Sequence, residues 1–440
     1  MAHSDLANLT SFLRGELSSS ENCDLVRALL VRSRDEPQAA DAGTPAAPRP
    51  VSLDYSQAFT QGGQVSQETF QAWACERAEL PSLIARLNSR PALERRSLVK
   101  SDPAFQIWPL CEDLIERSHR LVYLDMEEAI LLADLGVTVA EELDPERYGL
   151  QRVTDLQARA WAAVGEVLRN LPDLASAEEA FARADALLEG SDDHLEEAAI
   201  LELKAALWRD QRRKEESLRL LTEVAAMYRQ CREPHMMGRA FIQTGQTLGD
   251  GHEFRAACDW LRKGLAQLDA GREVEFELSA RYNLMLYLHE DGRQQEAWFM
   301  LKATQHEYLE HGGTLLNLRL RWLEGNIQRA LGFLEEAEAS FLEARRGLFE
   351  QRVGFDAASI SIDLASLYAS QGRLAEVRQI ATEMVPMLQA PDLHREAVAA
   401  LLLFQRSAEI EKVNHEMLRA IRFYLNQARK DHKLHFDFCT

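Results

Sequence analysis

Six arginines recur from residue 159 onward at positions that would share one face of successive helices: Arg159, Arg169, Arg209, Arg239, Arg319 and Arg329. Tyr282, His289, Trp322 and Asn326 fall on the same stripe, and its only acids are Glu166 and Glu202. A guanidinium presents a planar fork of N–H donors that matches a carboxylate bidentately. Such a row suits a partner that brings an acidic helix or extended segment. Trp322 and Tyr282 would be its aromatic anchors, and Asn326 could bond its backbone. The alternative is that these arginines pair with acids on neighbouring helices of the same chain. No spacing points to catalysis: G-x-S-x-G, P-loop, H-E-x-x-H and G-x-G-x-x-G patterns are all absent. The twelve histidines are scattered, and the six cysteines (Cys23, Cys75, Cys111, Cys231, Cys258, Cys439) show no metal or redox spacing. The expectation is a binding protein with no enzymatic activity, metal or cofactor.

The elements that must position this stripe are helix hairpins. In WAAVGEVLRNLPDLASAEEAFARA, Trp161, Gly165, Ala177, Phe181 and Ala184 match the spacing of the tetratricopeptide signature. Gly165 allows a second helix to approach closely, Ala177 meets it from the other side, and Phe181 and Trp161 fill the space around them. One hairpin cannot bury its apolar faces alone, so further copies are required. Steps of forty from Gly165 reach Ala205, Gly245, Met285, Gly325 and Ala365. The same steps from Ala177 reach Ser217, Ala257, Ala297, Ala337 and Val377. Gly292, Gly332 and Gly372 occupy one loop position in three successive units, where a residue tolerating positive φ ends the first helix. A further step reaches Gln405 and Met417 in a seventh, degenerate hairpin that caps the array. The arginine stripe corresponds to offsets of −6, −3, +1 and +4 from the small residue of each first helix, the face that lines the groove in this architecture.

The chain carries a formal charge of −20, which argues against non-specific attraction to nucleic acid or an anionic membrane. No apolar run approaches the ~20 residues of a membrane span, and MAHSDLANLTSFLRGEL lacks a secretory apolar core, so a cytoplasmic location is expected. Residues 1–36 read as a small two-helix head, and 37–66, rich in Pro, Ala, Gly, Gln and Ser, as a flexible linker. Residues 67–117 return to helix, with Pro81 as a kink or break, and 118–440 form the repeat array. Its first hairpin has Ala129 in the second-helix role and is put out of phase by DPERYG, residues 144–149.

The head, with FLRGEL ahead of its second helix, resembles the N-terminal zinc finger of bacterial anti-sigma factors. Ala28, Ser33 and Glu36 stand where that family has its His and two Cys, so the resemblance implies a metal-free relic. From about Ser101 onward, AFQIWPLCEDLIERS, DLQARAWAAVGEVLRN, LRLRWLEGNIQRALGFLEEAEASF and HREAVAALLLFQ resemble a family of bacterial tetratricopeptide regulatory proteins. The resemblance implies a regulator working alongside sigma factors.

The sequence reading is therefore an all-α, tetratricopeptide-type right-handed superhelical solenoid of about seven hairpins with a small helical head. It would act as a non-catalytic adaptor that sequesters a sigma factor or signalling protein through an acidic segment. The alternative is a regulatory subunit or inhibitor of a caspase-like protease in a bacterial stress or defence pathway.

Overall fold

In the computed structural model, the described residues are 67–122, 125–170, 174–384, 395–409 and 413–428. The expected head and linker lie outside them. Among the described residues there are 19 helices and no strand. The chain divides into two compact units that meet in sequence at Arg232 and Glu233.

The first unit begins with α1 (Gln67–Asn88) and α2 (Ala92–Ser101). α1 runs through Pro81, which was expected to kink or break it; the ring removes one N–H without ending the helix. A 3-10 turn at Pro103–Phe105 leads to the hairpin of α3 (Trp108–Leu121) and α4 (Met126–Glu141). Ala129 is fully buried on α4, as its second-helix role requires. The DPERYG insertion forms the short α5 (Pro145–Tyr148), and this turn has a packing role. Tyr148 stacks with Trp73 and lies tilted against Trp108, and its hydroxyl donates to Glu76 Oε2 at 2.9 Å. Two hairpins follow: α6 (Leu150–Arg169) with α7 (Leu174–Leu188), and α8 (His194–Asp210) with α9 (Lys214–Gln230). First helices stack in one row, α3 on α6 and α6 on α8.

The second unit repeats the scheme. Its hairpins are α10 (Pro234–Asp250) with α11 (Phe254–Leu265), α12 (Val274–Glu290) with α13 (Gln294–His311), α14 (Gly313–Leu331) with α15 (Leu334–Glu350), and α16 (Gly354–Ser370) with α17 (Leu374–Glu383). All the small positions reached by steps of forty, from Gly165 to Ala365 and from Ala177 to Val377, are buried. A Cβ on Gly165 would come within 2.7 Å of the Phe181 ring, and one on Gly325 within 2.7 Å of Phe341. The close helix approach inferred from Gly165, Ala177 and Phe181 is therefore real and repeats along the chain.

The turns are equally regular. Gly292, Gly332 and Gly372 have φ of 78°, 88° and 71°, and the same position in earlier hairpins is left-handed at Arg212 (61°) and His252 (62°). At each, the next residue donates its N–H five residues back: Arg213 to Trp208, Glu253 to Leu248, Arg293 to Leu288, Phe333 to Gln328 and Arg373 to Tyr368, all at 2.8–2.9 Å. This Schellman closure satisfies carbonyls at the helix end and needs the left-handed residue to make the bend.

The final hairpin, α18 (Arg395–Glu409) with α19 (His415–Ala428), corrects the expected register at Gln405 and Met417. It stacks the other way round: α18 lies against the second helix α17, and α19 lies against the first helix α16. Leu418, Ile421 and Leu425 of α19 and Ala397, Ala400 and Phe404 of α18 fill one core with α16 and α17. As a result α19 extends the row of first helices, and α16 is buried along nearly its whole length.

Candidate functional site

In the first unit, Arg159 on α6 lies 3.7 Å from Glu112 on α3 and 3.7 Å from Glu196 on α8. It therefore ties three successive first helices together. Burial raises the Glu196 carboxyl to about 7; Arg159 opposes the shift, and Asp193, Asp155 and Glu112 add to it. Arg169 holds Glu166 on its own helix at 2.8 Å and pairs with Asp210 on α8. Arg209 stands beside the same Asp210, at 3.4 Å.

In the second unit, Arg239 pairs with Glu273 at 2.6 Å and lies over the Phe276 ring. Glu273 also meets His235, whose Nε2 lies 2.9 Å from it. The other ring nitrogen, Nδ1, accepts the Asp269 backbone N–H at 3.0 Å, so the proton sits on Nε2 and points to Glu273. Tyr282 and His289 are half-buried on α12. His289 Nδ1 bonds Gln294 Oε1 at 2.5 Å; burial, and to a lesser degree Arg422 and Arg329, hold the imidazole below its usual pKa. Arg319 Nε donates to Asp356 Oδ2 at 2.8 Å, and Asp356 is almost fully buried.

The densest polar group surrounds Asp363, which is fully buried on α16. Trp322 Nε1 donates to its Oδ2 at 2.8 Å. Its Oδ1 lies 3.0 Å from Arg422 Nε and 3.8 Å from Arg329 NH2. Arg329 NH2 also donates to Asn326 Oδ1 at 3.0 Å, so the Asn326 carbonyl is engaged within the chain.

The structure thus brings Trp322, Asn326 and Arg329 together and spaces Arg239, Tyr282, His289 and Arg319 along the same unit. Arg159, Arg169 and Arg209 belong to the other unit. Each arginine of the stripe has a carboxylate beside it, which is the alternative that the sequence left open. Apart from Glu166, which is on the stripe, those carboxylates lie at offsets outside its four. Glu196 and Asp356 both sit nine residues before the small residue, and each meets the arginine 37 positions earlier. Asp363 sits two before Ala365, and Asp210 five after Ala205. Arg422 was missed because the repeat register does not place α19 in the first-helix row.

Among the described residues, no group of three or more His, Cys, Asp or Glu is placed to hold a metal ion, and no helix is long and apolar enough to cross a membrane. Cys111 and Cys258 are buried, and their thiols are pushed up by burial, Cys258 to about 11.

No protein-family model matches the sequence, and no curated protein matches it. Solved structures do resemble it. The crystal structure of a Rap protein complexed with Competence and Sporulation Factor superposes with a TM-score of 0.52 at 10% identity, covering 73% of this chain and 87% of that one. Aspartyl phosphate phosphatase F from Bacillus subtilis gives a TM-score of 0.49 at 11% identity, covering 77% and 88%. The likeness to the Rap protein places this chain among all-helical, tetratricopeptide-like repeat folds.

Proposed function

We propose that this chain is a non-catalytic regulatory adaptor that binds a polypeptide segment of a protein partner on its first-helix face. The observation that carries this reading is the construction of that face. Arg159, Arg239, Arg319 and Arg329 are half-buried, keep 22–28% of their side chains exposed, and are held in place by carboxylates on, or capping, the next first helix. Donors fixed in this way lose little side-chain entropy when a partner adds a hydrogen bond. The fold likeness supports the reading, because the Rap protein was captured with Competence and Sporulation Factor bound.

The ion pairs also revise the chemistry of the partner. With most arginines of the stripe already facing a carboxylate, the face as a whole is not a strip of unmatched positive charge. A bound segment would gain from hydrogen bonds and from aromatic contact with Tyr282 and Trp322, with an acidic group used locally. Sigma factors and signalling proteases remain named outcomes of the test rather than premises of the reading.

The test is affinity purification of the full-length protein from its native cell beside a chain beginning at Gln67. Recovery of one partner with both forms supports binding by the repeats. Loss of that partner with residues 1–66 moves the binding site to the head, and recovery of no partner with either form removes the adaptor reading. A sigma factor or a protease among the recovered proteins decides between the two regulatory roles.

A further inference from the structure

Asp363 is where the charge pairing of the first-helix face inverts. Arg159 faces two carboxylates, Arg169 and Arg209 together face two (Glu166 and the shared Asp210), and Arg239 and Arg319 one each. Arg329 and Arg422, by contrast, share the single carboxylate of Asp363, and both approach the same oxygen, Oδ1. The other oxygen is taken by Trp322. Arg422 Nε lies 3.0 Å from Oδ1, an ion pair, although among the described residues Oδ1 accepts no hydrogen bond of good geometry. Burial, and to a lesser degree the neighbouring Arg422 charge, hold Arg329 below the usual arginine range; Asp363 and Glu290 favour its cation. Glu290 is exposed at the end of α12 and forms no ion pair with either arginine. His289, from the same end of α12, is held below its usual pKa chiefly by burial, and an imidazole supplies no negative charge to offset the arginines.

Among the described residues, two guanidiniums around one buried carboxylate leave a locally positive centre, offset only by the exposed Glu290. Arg329 spends donors on Asn326 Oδ1 at 3.0 Å and the Asp363 carbonyl at 3.5 Å. The side chains of Arg329 and Arg422 remain 22% and 31% exposed, so both reach the surface. The geometry points to an oxyanion subsite in which Arg329 and Arg422 clamp a carboxylate or phosphate borne by a side chain of a bound peptide. Asp363 and Trp322 hold the two arginines in position. The subsite is composite: it exists because the last hairpin stacks in reverse and delivers Arg422 from α19 beside Arg329 of α14. It rests on the adaptor reading and narrows it, from a row of arginines to one pair.

The Trp322 indole N–H, bonded to Asp363, is a local reporter. In full-length ¹⁵N-labelled protein its resonance is assigned by its loss in Trp322→Phe, then followed during titration at constant ionic strength. One arm uses a capped hexaglutamate peptide, and the other a capped, otherwise neutral phosphoserine peptide. A saturable shift is expected, with affinity falling about tenfold or more in Arg422→Gln and in Arg329→Gln, a loss of about 1.4 kcal/mol. Arg422→Lys, which keeps the charge and the fold but loses the fork, should weaken binding by a smaller factor. Arg352→Gln, remote on an exposed turn, should bind as the parent does. Response to hexaglutamate identifies a carboxylate, response to phosphoserine a phosphate, and response to both the shared oxyanion chemistry. No saturable shift in either arm, or one that survives both Gln substitutions, overturns the subsite. A native partner that co-purifies equally with the parent and Arg422→Gln would also overturn it while leaving the adaptor reading intact. If the parent recovers no partner, the adaptor reading fails separately.

Discussion

The left-handed turn positions offer a test of the repeat in which backbone conformation is nearly the only variable. Arg352 ends α15 with φ of 58°, is exposed, and forms no side-chain hydrogen bond or ion pair among the described residues. An L-residue in this conformation costs roughly 1–2 kcal/mol through crowding of its Cβ. Glycine avoids that cost but gives up about 0.5–1 kcal/mol to the greater freedom of the unfolded chain. Arg352→Gly should therefore stabilise the α15–α16 turn by about 0.5–1 kcal/mol. The reciprocal change is Gly332→Ala, at φ of 88°, where an added Cβ would meet no atom within 4 Å. Its cost should be purely conformational, about 1 kcal/mol. A local readout suits a repeat protein, in which global unfolding need not be two-state. Native-state hydrogen exchange of the Val353 N–H, which bonds Leu348 C=O at 3.0 Å, reports the first turn, and that of Phe333 N–H reports the second. Arg352→Gly should slow exchange at Val353 about two- to fivefold, and Gly332→Ala should speed it at Phe333 by a similar factor. Faster exchange in Arg352→Gly, or no change in Gly332→Ala, would refute the claim that the left-handed bend is the cost being relieved.

Further substitutions probe packing and charge. Gly325→Ala drives a Cβ into the Phe341 ring and should cost about 1–3 kcal/mol, measured as a lower urea midpoint; Phe341→Leu in the same chain should recover part of it. Asp363→Ala leaves Arg329 and Arg422 without their shared counter-charge and should destabilise by about 3–5 kcal/mol, again read in urea. Glu196 carries a carboxyl raised to about 7 from an ordinary value of 4.5. A raised acid binds its proton more tightly when folded, so this contribution to stability is full below pH ~4.5 and is lost as pH rises through 7. It amounts to at most about 3 kcal/mol. Glu196→Gln should flatten the stability profile between pH 4.5 and 7, and a profile unchanged by the substitution would show that Glu196 ionises there without cost.

The repeat was legible because its determinants are local and few. Close approach of two helices demands a small residue on each, and a left-handed bend favours glycine. Both requirements leave marks at fixed spacing whatever the rest of the helix does. Gly165 against Phe181, and Gly325 against Phe341, are the same contact 160 residues apart. The regular turn also explains what the glycine pattern alone could not show. Arg212 and His252 occupy the left-handed position in the earlier hairpins, because the Schellman bond tolerates a strained L-residue at a cost that tertiary packing offsets. The reversed last hairpin had no such mark. Whether α18 or α19 joins the first-helix row depends on which apolar face fits α16, and that is decided by long-range packing.

The arginine stripe shows the opposite limit. The four offsets captured which residues lie on the first-helix face, since that follows from helical periodicity. They could not capture partners, since those come from the next helix at a stagger set by inter-helix packing. Arg159 with Glu196 and Arg319 with Asp356 share a separation of 37, three short of the repeat. A pair that crosses between stacked helices one turn out of step would produce that difference, because i and i+3 lie on one face. The rule assigns a carboxylate to the −6 arginine wherever the following helix has an acid at −9. It says nothing about Arg329 at +4, whose nearest carboxylate belongs to Asp363 and is shared with Arg422. Arg329, like Arg169 and Arg209 at the same offset, falls outside that pairing rule. It is the one that the reversed cap supplies with a second guanidinium, which makes Asp363 the place where two arginines of this face meet with one carboxylate between them.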